Sequence, residues 1–229
     1  MNIAIMQPYL FPYIGYWQLV NAVDTFVIYD DVNYIKQGFI NRNSILINGE
    51  KQRLTLNVTG ASSNRKINEI CIGDNSENIL KTISQNYNKA PQFENVYPLL
   101  TKLLLNKDTN LARFIGFTIT EISSYLGIST DLIYSSDIKK RKTLTAQDRL
   151  IEMCHQIGAD TYFNMIGGSH LYSKSYFELN GLKLKFMKPL PVNYNQFGND
   201  HIPNLSIIDV MMFNDRENTR AFLDQYKLL

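Results

Sequence analysis

The pattern of apolar and polar positions predicts an α/β protein from its first segment onwards. Asn2–Met6 is a short apolar run that stops at Gln7-Pro8, and Thr25–Tyr29 is a second run rich in residues that favour strands. Between the two runs, Tyr13–Ala22 has helical spacing, with Tyr13, Trp17 and Val20 on one side. A strand, a short helical connection and a second strand predict a βαβ unit with parallel strands.

The next segment has the pattern of an antiparallel hairpin. Phe39–Ile47 and Arg53–Val58 flank Asn48-Gly49, and this dipeptide strongly favours a tight hairpin turn. We expect the hairpin to be inserted after the second strand, over residues of about 38–72.

The rest of the chain alternates between helical and strand-like patterns. Helices are predicted at 75–88, 92–105, 110–126, 144–157, 173–179, 206–213 and 217–226, and strands at 130–134, 161–164 and 182–187. Together the elements predict one α/β domain over residues 1–229: a mostly parallel, Rossmann-like sheet with helices on both faces, the inserted hairpin and a helical segment of about 75–127.

Composition narrows the class of protein. Of 229 residues, 45% are apolar and 19% charged, which predicts a real core and excludes intrinsic disorder. The net charge of +2 is too balanced for an electrostatic nucleic-acid binder. Two cysteines without CxxC spacing and three histidines without ligand spacing predict reduced thiols and no metal site. The start lacks the pattern of a signal peptide and no run suits a membrane helix, so we expect a cytoplasmic protein.

The first candidate site is the loop that joins the first strand to the first helix. Free backbone N–H groups at a helix start favour an anion, and loops at strand ends are where open α/β sheets bind ligands. Glycine within a helix lowers its stability relative to alanine. Gly15 is therefore expected where a ligand or another backbone approaches the helix closely. The alternative is that Gly15 serves helix–sheet packing and the tyrosines cap the core. The predicted ligand-binding residues of this loop are Gln7, Pro8, Tyr9, Tyr13, Gly15 and Tyr16.

A second candidate follows the second strand. Asp30 and Asp31 end that strand at the same sheet edge as the first loop, with Tyr34 and Lys36 close behind. The carboxylates can bind a metal together with substrate phosphates, orient a sugar hydroxyl or accept a proton from an amine. The alternative is an Asp that caps the next turn. We favour Asp31 and Lys36 as the functional pair.

Three further segments carry weaker signals. In the hairpin, Asn41 and Asn43 share one strand face while Arg42 lies on the other, where it can bind a phosphate or simply be exposed. The basic run 139–142 suits a diphosphate or a solvated surface. A loop with Gly167, Gly168 and His170 follows a strand, as a ligand loop does, although paired glycines are often only a turn. His201 and Asp209 are weaker candidates, and Asp209 is expected to be buried and paired.

Several strings together resemble one protein family. Gln7-Pro8-Tyr9-Leu10-Phe11-Pro12-Tyr13-Ile14-Gly15-Tyr16-Trp17-Gln18-Leu19-Val20 resembles the opening of the WbqC-like family, which occurs in gene clusters for O-antigen and related bacterial surface polysaccharides. The later strings that fit the same pattern are 29–34, 41–43, 158–162 and 205–209. The resemblance covers essentially the whole chain.

A more distant resemblance concerns the scaffold. Phe11-Pro12-Tyr13-Ile14-Gly15-Tyr16 is similar in position to the HxGH signature of nucleotidylyltransferase-like enzymes such as pantothenate synthetase. Tyr13 and Tyr16 stand where that signature has histidines, and a neutral phenol stabilises phosphate charge less well. ATP adenylylation is therefore doubtful, while the phosphate-facing loop is expected to persist.

The WbqC-like resemblance implies transfer of an amino acid to the amine of a nucleotide-linked amino sugar. Glycine is the first candidate for that amino acid. We expect Asp30 or Asp31 to bind or deprotonate the amine, and Lys36 and Arg42 to stabilise charge. The acyl donor stays open between free glycine with ATP, a carrier thioester and an aminoacyl-tRNA. The alternatives are a nucleotidyltransferase acting on a small phosphorylated substrate and a non-catalytic sugar-nucleotide-binding protein.

Overall fold

The structure, a computed structural model, describes residues 1–141, 143–144, 146–198 and 200–229. Within these residues the strands are β1 (Asn2–Met6), β2 (Thr25–Ile28), β3 (Arg42–Ile47), β4 (Glu50–Thr55), β5 (Val58–Thr59), β6 (Cys71–Ile72), β7 (Asp131–Tyr134), β8 (Thr161–Met165), β9 (Lys183–Pro189) and β10 (Tyr226–Leu228). The helices are α1 (Ile14–Asn21), α2 (Ser76–Tyr87), α3 (Phe93–Leu104), α4 (Leu111–Leu126), α5 (Ala146–Ile157), α6 (Lys174–Leu179), α7 (Ile207–Phe213) and α8 (Arg216–Ala221). None of these helices is long and apolar enough to cross a membrane.

The central sheet has the strand order β10-β9-β8-β1-β2-β7 and is parallel except for β10. The chain builds outward from β1 through β2 to β7, then crosses back and continues with β8 on the other side of β1. The sheet therefore has a topological switch point between β1 and β8, which is where open α/β sheets leave a crevice. The predicted mostly parallel, Rossmann-like fold is confirmed.

Helices cover both faces of the sheet because β1 and β2 are apolar on both sides. Ile3 and Ile5 pack with Leu150 and Cys154 of α5 on one face. The opposite face of β1 belongs to the larger core, which includes Trp17 of α1 and most of the other helices. Strands buried on both faces are typical of parallel sheets, and the near-continuous apolar run of β1 reflects this.

The predicted hairpin is confirmed, with shifted bounds. Strands β3 and β4 pair from Arg42↔Thr55 to Ile47↔Glu50, so only Asn48 and Gly49 form the turn. Their φ angles of 54° and 78° are both left-handed, which a two-residue hairpin turn of this kind requires. A turn of two residues forces β4 to start at Glu50, three residues earlier than predicted.

Helix ends follow the local signals that the sequence carries. The side chain of Asn110 accepts a hydrogen bond from the backbone N–H of Arg113, which caps α4 at its start. Gly127, at φ 69°, ends the same helix as predicted. The predicted start of α5 at Leu144 lies beside residue 145, which is outside the described residues.

The prediction of a helix over 217–226 is wrong at its end. Helix α8 ends at Ala221 and a 3₁₀ turn follows over Phe222–Asp224, but Tyr226–Leu228 forms the antiparallel edge strand β10 against β9. Gln18 of α1 donates side-chain hydrogen bonds to the carbonyls of Phe222 and Gln225. These carbonyls are thus bound by a distant side chain, and the last residues satisfy their backbone groups on the otherwise open edge of β9.

The loop after β1 is held by a buried amide of the hairpin. Asn43 Nδ2 donates to the carbonyls of Leu10 (3.1 Å) and Phe11 (2.8 Å), and Ser206 Oγ donates to the same Phe11 carbonyl at 2.7 Å. Phe11 has a φ of 42°, a conformation that a non-glycine residue adopts only when its surroundings impose it. Asn43 therefore couples the hairpin to the strand–helix loop.

Replacing Asn43 with alanine should lower the free energy of unfolding by about 2 kcal/mol, because two buried carbonyls lose a donor. Urea denaturation monitored by circular dichroism measures the change. Asn95→Ala, on the exposed side of α3, is the matched control and should stay within about 0.5 kcal/mol of the wild type. Equal effects of the two substitutions would contradict the coupling.

Candidate functional site

A cavity of about 600 Å³ opens at the topological switch point, next to the carboxyl ends of β1 and β8. Met6, the last residue of β1, and Met165, the last residue of β8, both line it. We name this cavity the switch-point pocket. Its remaining walls come from the strand–helix loop, the hairpin and Asn204. The location is the one that ligands occupy in open α/β sheets.

One wall of the switch-point pocket is aromatic. Tyr9 lies 5.8 Å from Tyr16 and 6.0 Å from Phe39 between ring centroids, with tilted planes. Phe39 is 55% exposed, an unusual position for a large apolar ring. Burial raises the pKa of Tyr9, so its phenol stays neutral. Rings of this kind offer stacking surfaces to a nucleobase or a sugar.

Two cationic side chains also line the switch-point pocket. Lys51 and Arg53 are exposed on β4 and both line the pocket, because residues two apart on a strand share a face. Arginine and lysine side chains at a cavity mouth bind phosphate oxygens with charge-assisted hydrogen bonds. Our reading of the sequence missed both residues. The Lys-Gln-Arg alternation after the Asn-Gly turn was the signal that could have found them.

Gly15 makes room for a side chain of this protein. A Cβ atom at Gly15 would lie 2.5 Å from Cε2 and 2.7 Å from the hydroxyl oxygen of Tyr13. The ring of Tyr13 therefore lies against the first turn of α1, in the space where the sequence interpretation put a ligand or another backbone. Tyr13 itself lines the switch-point pocket, so a ligand meets the phenol before it meets the helix start.

Tyr16 and Gln7 form a hydrogen bond that stabilises the strand–helix loop. The Tyr16 hydroxyl donates to the carbonyl of Gln7 at 3.1 Å, and burial raises the pKa of Tyr16 well above its usual value. Trp17 Nε1 donates to the carbonyl of Pro12. Pro8 is buried at the end of β1. These contacts fix the path of the loop. Tyr9, Tyr13 and Tyr16 line the switch-point pocket, whereas Gln7, Pro8 and Gly15 do not.

The two aspartates that follow β2 have different environments. Asp30 is 1% exposed and accepts hydrogen bonds from Ser136 N, Ser136 Oγ and Asn68 Nδ2, at 2.9, 2.7 and 3.2 Å. Asp31 lies 2.6 Å from Ser135 Oγ and 2.9 Å from Lys140 Nζ. Asp30 thus ties three segments together, and Asp31 forms an ion pair at the sheet edge.

The ion pair of Asp31 and Lys140 is nearly closed to solvent, with side chains 15% and 8% exposed. Burial alone would raise the pKa of the Asp31 carboxyl, but the hydrogen bond from Ser135 and the ammonium group of Lys140 hold that pKa below its usual value. Arg149 of α5 lies close to the same carboxylate. A carboxylate held in this way is a weak base and a good partner for cations.

The basic run 139–142 does not form one cationic surface within the described residues. Lys140 faces Asp31, and Arg141 pairs with Glu152 through its Nε at 2.8 Å. Lys142 lies outside the described residues. Lys140 and Arg141 are therefore committed to separate carboxylates, and the side chain of Lys139 is exposed.

Four residues in and before the hairpin that were predicted to belong to the site form contacts within the protein or are exposed. The Tyr34 hydroxyl donates to Asn41 Oδ1 at 2.8 Å, and Asn41 Nδ2 donates to the carbonyl of Leu56. Arg42 donates through Nη2 to the carbonyl of Lys36, whose own side chain is exposed. None of Tyr34, Lys36, Asn41 and Arg42 lines the switch-point pocket.

The turn after β8 lies at the same sheet edge but outside the pocket lining. Gly167, Gly168 and His170 belong to a 3₁₀ turn over Ile166–Leu171. A Cβ at Gly167 would contact nothing within 4 Å, whereas one at Gly168 would lie 2.9 Å from Asn164 Nδ2. His170 is exposed. The described residues contain no cluster of three His, Cys, Asp or Glu side chains that could hold a metal ion.

Fold and cavity together define a Rossmann-like α/β protein with a cavity lined by aromatic and cationic side chains at its switch point. The model of the WbqC-like protein family matches residues 7–221, so the chain belongs to the WbqC-like family. A relative from Mycobacterium tuberculosis, the uncharacterized protein Rv1507c, is 31% identical over 218 residues, which is 93% of each chain. No solved structure matches this chain.

Replacing Asp31 with asparagine should lower the free energy of unfolding by about 2 kcal/mol at pH 7, because Lys140 loses its carboxylate. The pKa of the Asp31 carboxyl is lower in the folded than in the unfolded protein, so the ionised carboxylate stabilises the fold above the unfolded-state pKa of about 4. This contribution is lost as the pH falls through the folded-state pKa. The difference in the free energy of unfolding between the variant and the wild type should therefore become smaller below about pH 4. Urea denaturation at pH 3 and pH 7 measures it.

Asp137→Asn is the control, because Asp137 pairs with Arg113 at 3.4 Å on the exposed surface and such pairs contribute little. A loss for Asp31→Asn that is the same at both pH values would contradict the ionised pair.

Proposed function

We propose that this protein transfers an amino acid, with glycine as the first candidate, to the amine of a nucleotide-linked amino sugar during the assembly of O-antigen or a related surface glycan. Membership of the WbqC-like family supports the setting. The switch-point pocket supports the substrate class, because it combines ring surfaces with two cations in one cavity. A sugar nucleotide offers the matching groups, a flat base and a diphosphate.

The observation that carries the proposal is that Lys51 and Arg53 of β4 line the same cavity as Tyr9 and Phe39. In this arrangement the rings stack on the apolar parts of the ligand, while the cations bind the phosphate oxygens. Lys51 and Arg53 thereby take the charge-stabilising role first assigned to Lys36 and Arg42. Asp31 remains a candidate for binding an ammonium group rather than for removing its proton.

Replacing Lys51 and Arg53 together with alanine should weaken the binding of UDP- or dTDP-linked amino sugars about thirtyfold, or ~2 kcal/mol, because two phosphate contacts are lost. Isothermal titration calorimetry gives the dissociation constants. The control removes two cations, Lys183 and Lys227, that are exposed on β9 and β10 away from the pocket lining. This control variant should bind the sugar nucleotide with wild-type affinity. An equal loss of affinity in both double variants would contradict a phosphate site on β4.

Incubation of the protein with amino-sugar nucleotides and a glycyl donor should add one glycyl residue to the sugar amine. The donors to compare are glycine with ATP, a glycyl thioester and glycyl-tRNA, and mass spectrometry detects the product. Pyrophosphate release without acylation would overturn the proposal in favour of nucleotidyl transfer. Binding without turnover from any donor would overturn it in favour of a carrier role.

A further inference from the structure

A second cavity of about 530 Å³ adjoins the switch-point pocket. Tyr13 and Asn204 line both cavities, so the two are neighbours across these side chains. We name the second one the proline cavity, after Pro189, Pro191 and Pro203 in its walls. It lies beyond the carboxyl end of β9, on the same edge of the sheet.

The lining of the proline cavity suits the faces and hydroxyl groups of a sugar ring. No described Asp, Glu, Lys or Arg lines it, and its polar side chains are tyrosine, asparagine and His201. Proline and tyrosine faces pack against the apolar faces of a sugar, and asparagine side chains bond its hydroxyl groups. The diphosphate of a sugar nucleotide fits the neighbouring cationic pocket, which leaves the proline cavity for the sugar.

His201 has a fixed tautomer. Its Nδ1 lies 3.1 Å from the backbone carbonyl oxygen of Tyr194. A carbonyl oxygen only accepts hydrogen bonds, so Nδ1 carries a proton, and Nε2 is the ring nitrogen whose lone pair is available for accepting one. Within the described residues Nε2 has no hydrogen-bond partner. The imidazole also packs edge-on against the Tyr194 ring, with centroids 4.8 Å apart, which holds its orientation.

The segment that carries His201 is anchored to Asp209, a carboxylate that is 0% exposed. The Tyr194 hydroxyl (2.7 Å) and Gln196 Nε2 (2.6 Å) donate to Asp209 Oδ2, and the Tyr87 hydroxyl donates to Oδ1 at 2.8 Å. Gln196 Oε1 in turn accepts from the backbone N–H of Ile202 at 2.8 Å. The segment that carries His201 is therefore held on one side by Asp209 directly, through Tyr194 and Gln196. On the other side Ile202 is held by Gln196.

We propose that the proline cavity holds the amino-sugar ring and that His201 Nε2 accepts the proton of its ammonium group, an inference that rests on the proposed function. The N–H bond breaks and the proton moves to Nε2, which forms an imidazolium. The freed nitrogen lone pair forms the C–N bond to the acyl carbon of an activated aminoacyl donor. The bond from that carbon to the oxygen or sulfur leaving group then breaks, and the leaving group takes the electron pair and the imidazolium proton. The second proton of the attacking nitrogen moves to the freed Nε2 and from there to water, which leaves a neutral amide.

This assignment replaces Asp31 as the base. Ser135 and Lys140 already occupy the Asp31 carboxylate and keep its pKa low, which makes it a poor proton acceptor at neutral pH. His201 Nε2 has no such partner in the described chain, and the His201 side chain lines the cavity that adjoins the switch-point pocket.

Nuclear magnetic resonance of the ¹⁵N-histidine-labelled protein tests the inference without turnover. His201→Gln assigns the signal, and the free protein should show a neutral His201 protonated at Nδ1. Titration with UDP- or dTDP-linked amino sugars should move the Nε2 resonance to the position of a protonated imidazolium nitrogen, whereas the same nucleotides linked to glucose should leave Nε2 unprotonated. A neutral tautomer protonated at Nε2 would overturn the proposal, as would binding of the amino sugar without a shift.

Kinetics of glycyl transfer provide the second test. His201→Gln should lower kcat at least a hundredfold, in the range of a lost general base, while the sugar-nucleotide Kd stays within twofold of wild type. Added imidazole should restore part of the kcat of His201→Ala. The exposed His170→Gln is the control and should keep the wild-type rate. Full activity of His201→Gln would overturn the base assignment alone, whereas no binding of any amino-sugar nucleotide would overturn the proposed function as well.

Discussion

The parallel pairing of β1 with β2 on one side and β8 on the other is the constraint on which the rest of the structure depends. It buries β1 on both faces, and it forces the chain to cross over so that β8 can reach the second edge. The strand then stops at Pro8, which cannot donate to a ladder. Because the connections diverge there, the switch-point pocket is left open.

Two buried carboxylates organise the loops around that opening. Asp30 collects donors from the segments that follow β7 and precede β6, and Asp209 collects donors from the segment that carries His201 and from α2. Each group accepts several hydrogen bonds, which offsets the cost of burying charge. Irregular backbone is thereby held in place without regular secondary structure, including the segment with Tyr194 and His201 that lines the proline cavity.

Local patterns were sufficient to predict most of the fold. Apolar runs located the strands of the parallel sheet, and Asn48-Gly49 located the hairpin turn. The C-terminal strand could not be predicted, because its partner is the edge of β9 and its preceding turn is fixed by Gln18, far away in sequence. Propensity contains no information about such a contact. The buried state of Asp209 followed from its apolar neighbours.

The candidate site was harder to predict for a related reason. Asn41, Asn43 and Tyr34 are polar residues in an apolar context, a pattern that serves a ligand and a buried backbone carbonyl equally well. Only the tertiary structure shows that these groups bond the protein itself. Conversely, Lys51 and Arg53 have the sequence appearance of an ordinary solvated strand, and only the packing of the hairpin beside β1 brings them to a cavity.

The position of Tyr13 between the two cavities has a thermodynamic consequence. A ligand group that displaces this ring from one side also changes the wall of the other cavity, so the two halves of a bound molecule cannot contribute independent free energies. Such coupling is reciprocal: the factor by which the nucleotide half changes affinity for the sugar half equals the factor in the opposite direction. Fragments of the substrate, measured separately, should therefore not sum to the affinity of the whole.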